Sequence, residues 1–194
     1  MVLELVIGKF VKLDPKVKFY YTLHPSPTIV LVTKCPNGRF NAMPASWNTP
    51  VSEEPPTVAV IIDKEAYTFQ CLEYHNEATI NVPHIGQADI VYALGSTSGR
   101  DVDKITKFNI KLEPSETISV PRWSEAIASL EGKVYAKLDV GEVRLYVFEI
   151  LAVYVKEGLY TQWGWDLTKT SILLHGAGRT FYGVGRMIRA QKVQ

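Results

Sequence analysis

Ten residues in the middle of the chain, "GSTSGRDVDK" (Gly95 to Lys104), gather two glycines, three hydroxyls, an arginine and a lysine. A bound phosphate needs these groups: backbone N–H donors freed by glycine, hydroxyl donors and cationic charge. The segment has no Walker spacing, so taken alone it fits a solvated loop at the end of a helix equally well. A second stretch, "NAMPASW" (Asn41 to Trp47), has a different character. Asn41 and Ser46 offer side-chain hydrogen bonds, Trp47 an aromatic face, and Ala42, Pro44 and Ala45, with flexible Met43, leave little bulk above the backbone. A planar ring system needs such a wall, with close main-chain approach and a few polar groups at its edge.

The elements that position these stretches read as mostly β. Short β-branched runs bounded by turn residues predict strands at "TIVLVTK" (Thr28 to Lys34), "TVAVIID" (Thr57 to Asp63) and "ATINVP" (Ala78 to Pro83). "KVYAKLDVGEV" and "RLYVFEILAVYVK" are long enough to cross a barrel wall. Asn37-Gly38 is a tight-turn signal, so Thr28 to Trp47 reads as a hairpin whose second arm carries "NAMPASW". Helical patterning falls on connections: Ala66 to Glu77, Ile85 to Ser96, and "WSEAIASLEG", where Ser124 would cap a helix and Gly132 would end it. Asn109 to Trp123 reads as a crossing loop or a strand end. Without regular βαβ alternation, and with no GxGxxG after a strand, the pattern points to an antiparallel barrel with helical connections.

The composition excludes several classes. The 194 residues suit one domain and carry a formal net charge of +1, with 46% hydrophobic and 21% charged residues. That balance gives no strongly basic surface, so no nucleic-acid partner is expected. "MVLELVIGKF" has too short an apolar run for a signal peptide or spanning helix, so no membrane partner and a cytoplasmic location are expected. Cys35 and Cys71 form no CxxC and read as buried, idle thiols. His24, His75 and His84 make no metal-ligand pair, and no metal site is expected.

The block "GRFNAMPASWNTPVSEEPPTVAVII" resembles the signature of the flavin reductase-like, FMN-binding split-barrel proteins. The likeness continues through "EATINVP", "SGRDVDK", "LEGKVYAKLDVGEVRLYVFEILAVYV" and "LLHGAGRTFYGVG", over roughly residues 23–185, and leaves residues 1–22 as an extension or added strand. The resemblance implies a Greek-key split β-barrel and a bound FMN. It implies flavin contacts at Asn41, Ala42, Met43, Pro44, Ala45, Ser46 and Trp47, and phosphate contacts at Thr97, Ser98, Gly99, Arg100 and Lys104. His175, Arg179 and Tyr182 match family positions near the open flavin face, and no catalytic acid or base is assigned. A homodimer is implied, with NAD(P)H or a redox protein as electron donor and a flavin, ferric complex or other molecule as acceptor. A flavoredoxin-like carrier without NAD(P)H activity and a non-catalytic flavin-binding protein are the alternatives.

Overall fold

The computed structural model describes residues 8–16 and 18–185. What the sequence suggests for residues 1–7 lies outside them. No added strand forms in the described part of the extension, whose regular structure begins with a 3-10 turn at Phe19–Leu23. A two-residue strand β1 (Ser26–Pro27) follows.

The expected hairpin then forms: β2 (Ile29–Lys34) runs antiparallel to β3 (Phe40–Ala45), with Leu31 opposite Met43 and Thr33 opposite Asn41. Gly38 sits in its turn at φ 79°, a left-handed conformation that glycine takes without a side-chain clash. Next come β4 (Asn48–Glu53), β5 (Pro56–Asp63), helix α1 (Tyr67–Tyr74) and β6 (Glu77–Val82). Helix α2 (Ala88–Ser96) and the short α3 (Lys104–Lys107) precede a two-stranded ribbon of β7 (Leu112–Glu113) and β8 (Arg122–Trp123). The two long strands are β9 (Ala128–Val140) and β10 (Val143–Val155). A second small ribbon, β11 (Tyr160–Thr161) with β12 (Gly164–Trp165), leads to β13 (Leu173–His175) and β14 (Phe181–Gly183).

Seven strands form one antiparallel sheet in the order β3-β2-β6-β9-β10-β5-β4. Its outermost strands, β3 and β4, are consecutive in the chain, and the Ile61 N–H bonds the Trp47 carbonyl at their junction, 3.0 Å away. The sheet therefore curls into a barrel split along this seam. Inside lie Leu31, Val60, Ile62, Ile80, Tyr146 and Phe148, closed at one end by Leu72 of α1. Strand β2 is buried on both faces, because Val30 and Val32 point outward into a second cluster with Val91 and Leu94 of α2, Trp123 and Leu173. Helix α2 is thereby pressed onto the outside of the barrel beside β3.

Two readings of the sequence are corrected. "WSEAIASLEG" forms no helix: Ser124 donates its hydroxyl to the Lys111 carbonyl in a turn, and β9 begins at Ala128. Strands β6 and β10 offer ladders on both sides, which outweigh a weak local helical preference. Gly132 ends nothing; it lets β9 pass closely over Phe148, whose Cβ would lie 3.2 Å from an added side chain. Cys35 and Cys71 are not idle thiols but a disulfide, fully buried, that fastens the end of β2 to α1. The segment from Asn109 to Trp123 is a crossing loop closed by the β7–β8 ribbon and tied to the barrel at Glu77, Asn81 and Glu131. The buried Glu131 carboxylate accepts from the Glu116 and Thr117 N–H groups and the Thr117 hydroxyl. Burial alone would raise its pKa; these bonds and the charge of Arg122 hold it lowered.

Candidate functional site

Two depressions flank β3 where it meets α2, and they join at Gly95 and Ser96. The first is the polar one. It is lined by Asn41 and Met43 of β3, residues 65–68 at the entry to α1, and the loop from Thr97 to Arg100. The alternation of a strand puts Asn41 and Met43 on this side, while the loop follows directly from the end of α2.

Its walls are tied together. Asn41 Nδ2 donates to Thr68 Oγ1 at 2.9 Å, and a guanidinium nitrogen of Arg100 donates to the Glu65 carbonyl at 2.7 Å. The Arg100 N–H bonds Ser98 Oγ, which folds the loop back on itself. Gly99 lies against Asn41 so closely that a Cβ there would stand 2.1 Å from Asn41 Oδ1 and 2.9 Å from Tyr67 Cδ1. Only glycine fits. Lys104 is buried and donates to the Ala42 carbonyl at 3.0 Å and the Leu94 carbonyl at 2.7 Å, so it staples β3 to the C-terminal turn of α2. Burial pulls its ammonium down to about 8. With three N–H bonds to give, it has one left for a ligand.

The second depression is a cleft of about 250 Å³, walled by Pro44, Ala45, Val91, Tyr92, Phe181 and His175. Small side chains on one side and aromatics on the other give the slot a flat ring requires. His175 faces into it and bonds the Gly178 carbonyl through Nε2 at 3.2 Å. Arg179 packs its guanidinium 5.3 Å from the centre of the Tyr92 ring, at the cleft's edge. Tyr182 does not join them. It pairs across the strands with Leu174 while Phe181 pairs with His175, so the pleat turns Tyr182 to the opposite side, toward His24 and Gly176. Trp47 sits beyond Ser46 at the seam, 38% exposed, and the Tyr20 ring meets it edge-on at 5.3 Å.

Two buried polar atoms have no partner here. Asn41 Oδ1 lies in the polar depression and Thr28 Oγ1 in the cleft, both on residues 3% exposed. A buried acceptor or hydroxyl left unpaired costs about 1–3 kcal/mol, so such atoms mark places where a ligand completes the bonding. The site as a whole offers cation and hydroxyls at one end and a flat apolar slot at the other. Among the described residues, His175 and the Tyr92 phenol are the titratable groups that line the slot. Such a site binds and orients; electron chemistry would come from what it holds. Among the described residues no three His, Cys, Asp or Glu side chains gather to hold a metal, and no helix is long and apolar enough to cross a membrane.

Sequence reasoning missed Thr28, Thr68, Tyr67, Tyr92 and Phe181. Thr28 is the first residue of a run otherwise spent on core. Tyr67 and Thr68 begin a helix whose obvious signal is its apolar face, which hides the polar use of its first turn.

The chain is similar to several known proteins. A curated protein of Pyrococcus abyssi, itself uncharacterized, is 33% identical over 138 residues, covering 71% of this chain and 78% of the relative. An FMN-binding protein from Thermus thermophilus, solved with bound 1-cyclohex-2-enone, is 26% identical with a TM-score of 0.81, covering 95% of this chain and all of that one. A flavoredoxin from Methanosarcina acetivorans is also 26% identical, with a TM-score of 0.82 over 94% of this chain and 95% of that one. The family model described as the flavin reductase like domain matches residues 21–182, and the chain belongs to that family.

Proposed function

We propose that the chain holds FMN across the two depressions and relays electrons from a reduced donor to an acceptor. The carrying observation is the cradle at Gly99, where a loop of hydroxyls and Arg100 closes on the unpartnered Asn41 Oδ1. The residues fit the group: Thr97, Ser98 and Arg100 meet the needs of its phosphate, and the slot between Pro44-Ala45 and Tyr92 meets those of its ring. Ser46 and Thr28 Oγ1 offer bonds at the ring's polar edge. FMN when bound supplies the two-electron chemistry. The protein's part is to orient that ring and leave one face open beside His175. Support also comes from the Thermus thermophilus relative, described as FMN-binding.

The donor we assign is NAD(P)H. The experiment is an anaerobic absorbance spectrum of the FMN-loaded protein before and after each nucleotide: bleaching of the flavin band is expected, and no bleaching with either would reject the nucleotide as donor. The flavoredoxin of Methanosarcina acetivorans favours a second reading, an electron carrier fed by a redox protein. Fast bleaching by reduced ferredoxin, with none by NAD(P)H, would select it.

A homodimer forms part of the proposal. The last part of β9 leaves Tyr135, Leu138 and Val140 about 60% exposed, an apolar stretch that suits a second copy. Sedimentation should give twice the chain mass.

A further inference from the structure

Beside the cleft, on the other side of Ser46, lies a third depression of about 290 Å³. Its walls are the Phe19 and Tyr20 rings, Leu23, Trp47 and Ile61, with Ser26 and Ser46 at its rim. None of its lining residues is Lys, Arg, Asp or Glu. The contrast with the polar cradle, which has Arg100, Lys104 and Glu65, is complete within one site.

We infer that this pocket receives the electron acceptor, and that the acceptor is a neutral, planar organic molecule of the quinone class. The inference rests on the proposed FMN site, and it deepens that reading by naming what stands next to it. Three features carry it. The pocket shares Ser46 with the ring slot, so an occupant lies next to the redox centre without passing through solvent. Tyr20 and Trp47, ring centres 5.3 Å apart at 66°, make an aromatic corner that stacks on one face of a flat molecule and meets its edge. A wall without cations has nothing to offset the desolvation of an anionic ferric chelate or of a nucleotide phosphate, whereas a neutral quinone loses little on leaving water.

The polar groups match a carbonyl compound. The hydroxyls of Ser26 and Ser46 can donate to a quinone carbonyl, and His24, whose Nδ1 donates to the Gly176 carbonyl at 2.6 Å, keeps Nε2 as an acceptor for the O–H of the hydroquinone product. The quinone gains two electrons and two protons to become a hydroquinone. The two electrons would come from the reduced cofactor, which would return to its oxidised form and release its protons to solvent, and the quinone's two protons would come from solvent. NAD(P)H or the reduced redox protein resupplies the electrons. Phe19 and Tyr20 stand immediately before the family-matched residues 21–182.

Equilibrium dialysis of menadione against the oxidised, FMN-loaded protein without donor measures binding alone. Saturable binding is expected, with Tyr20→Ala weakening it about tenfold, the loss of one aromatic contact. The FMN Kd should stay within twofold, and so should the steady-state reduction of ferricyanide. Phe19→Ala, a change at a more exposed ring, should weaken menadione a few-fold and serves if Tyr20→Ala does not fold. Failure of menadione to bind, or equal binding by both variants, overturns the inference and leaves the FMN site standing. A change in sedimenting mass on Tyr20→Ala with menadione affinity unmoved would assign the surface to a second copy and overturn it too. Menadione binding to a protein that takes up no FMN would instead overturn the proposed function.

Discussion

The two ends of the candidate site are built on opposite plans. At the polar end every wall is fastened: the Cys35–Cys71 disulfide ties β2 to α1, Thr68 bonds Asn41, Arg100 bonds Glu65, and Lys104 staples β3 to α2. At the aromatic end, Trp47, Phe19 and Leu23 stand exposed on a 3-10 turn and a strand junction with few side-chain bonds. Rigid, pre-organised donors lower the cost of holding a charged group, and open aromatic surface lets a second molecule come and go. One end suits retention and the other exchange. Substitutions at the fastened end should therefore act on FMN affinity, with little effect on which acceptor is used.

The largest expected effect is on the fastening itself. Cys35→Ala with Cys71→Ala opens a loop of 36 residues and should lower the free energy of unfolding by about 3–4 kcal/mol, read by urea denaturation. FMN affinity should fall with it, since α1 carries Thr68 and Tyr67; unchanged affinity would show that the brace and the cradle are independent. Arg100→Ala comes next, costing FMN binding about 1.5–3 kcal/mol through a lost charge-assisted bond while leaving riboflavin unaffected. Isothermal titration with both flavins checks it, and an equal loss for riboflavin would place Arg100 away from the phosphate. Gly99→Ala should cost about 1–3 kcal/mol by pushing the loop off Asn41, seen as weaker FMN quenching in a fluorescence titration with the far-UV spectrum preserved.

The smallest effect is the dependence on pH. Free Lys104 loses its proton around pH 8, against about 10.4 in an unfolded chain. The folded protein thus prefers the neutral amine, and its stability without ligand should rise between pH 8 and 10. A phosphate dianion prefers the ammonium, so FMN affinity should fall a few-fold as pH rises through about 8, while riboflavin affinity stays flat. Parallel curves for the two flavins would remove Lys104 from the phosphate's surroundings.

What could be read in the sequence divides along the same line. The Asn37-Gly38 hairpin, the β-branched strands and the loop after α2 are local patterns, and they put "NAMPASW" on a hairpin arm and "SGRDVDK" on a loop after a helix; the resemblance joins the two into one site. Pairings made through space carry no local signal. Cys35 and Cys71 meet only because α1 packs across the end of β2, and Thr28 becomes a cleft hydroxyl only once β13 and α2 close around it. "WSEAIASLEG" reads as a helix but forms a turn and the start of β9, because its small and polar residues allow either state and the neighbouring ladders decide. The resemblance groups Tyr182 with His175 and Arg179 at the open flavin face, yet the period-two pleat turns Tyr182 to the other side.

The most direct test compares the dissociation constants of FMN and riboflavin for the cofactor-stripped protein by flavin fluorescence at pH 7. A cradle that bonds the phosphate through Arg100 and the loop hydroxyls predicts FMN at least about tenfold tighter than riboflavin. Equal constants for the two flavins, or no binding of either, would contradict it.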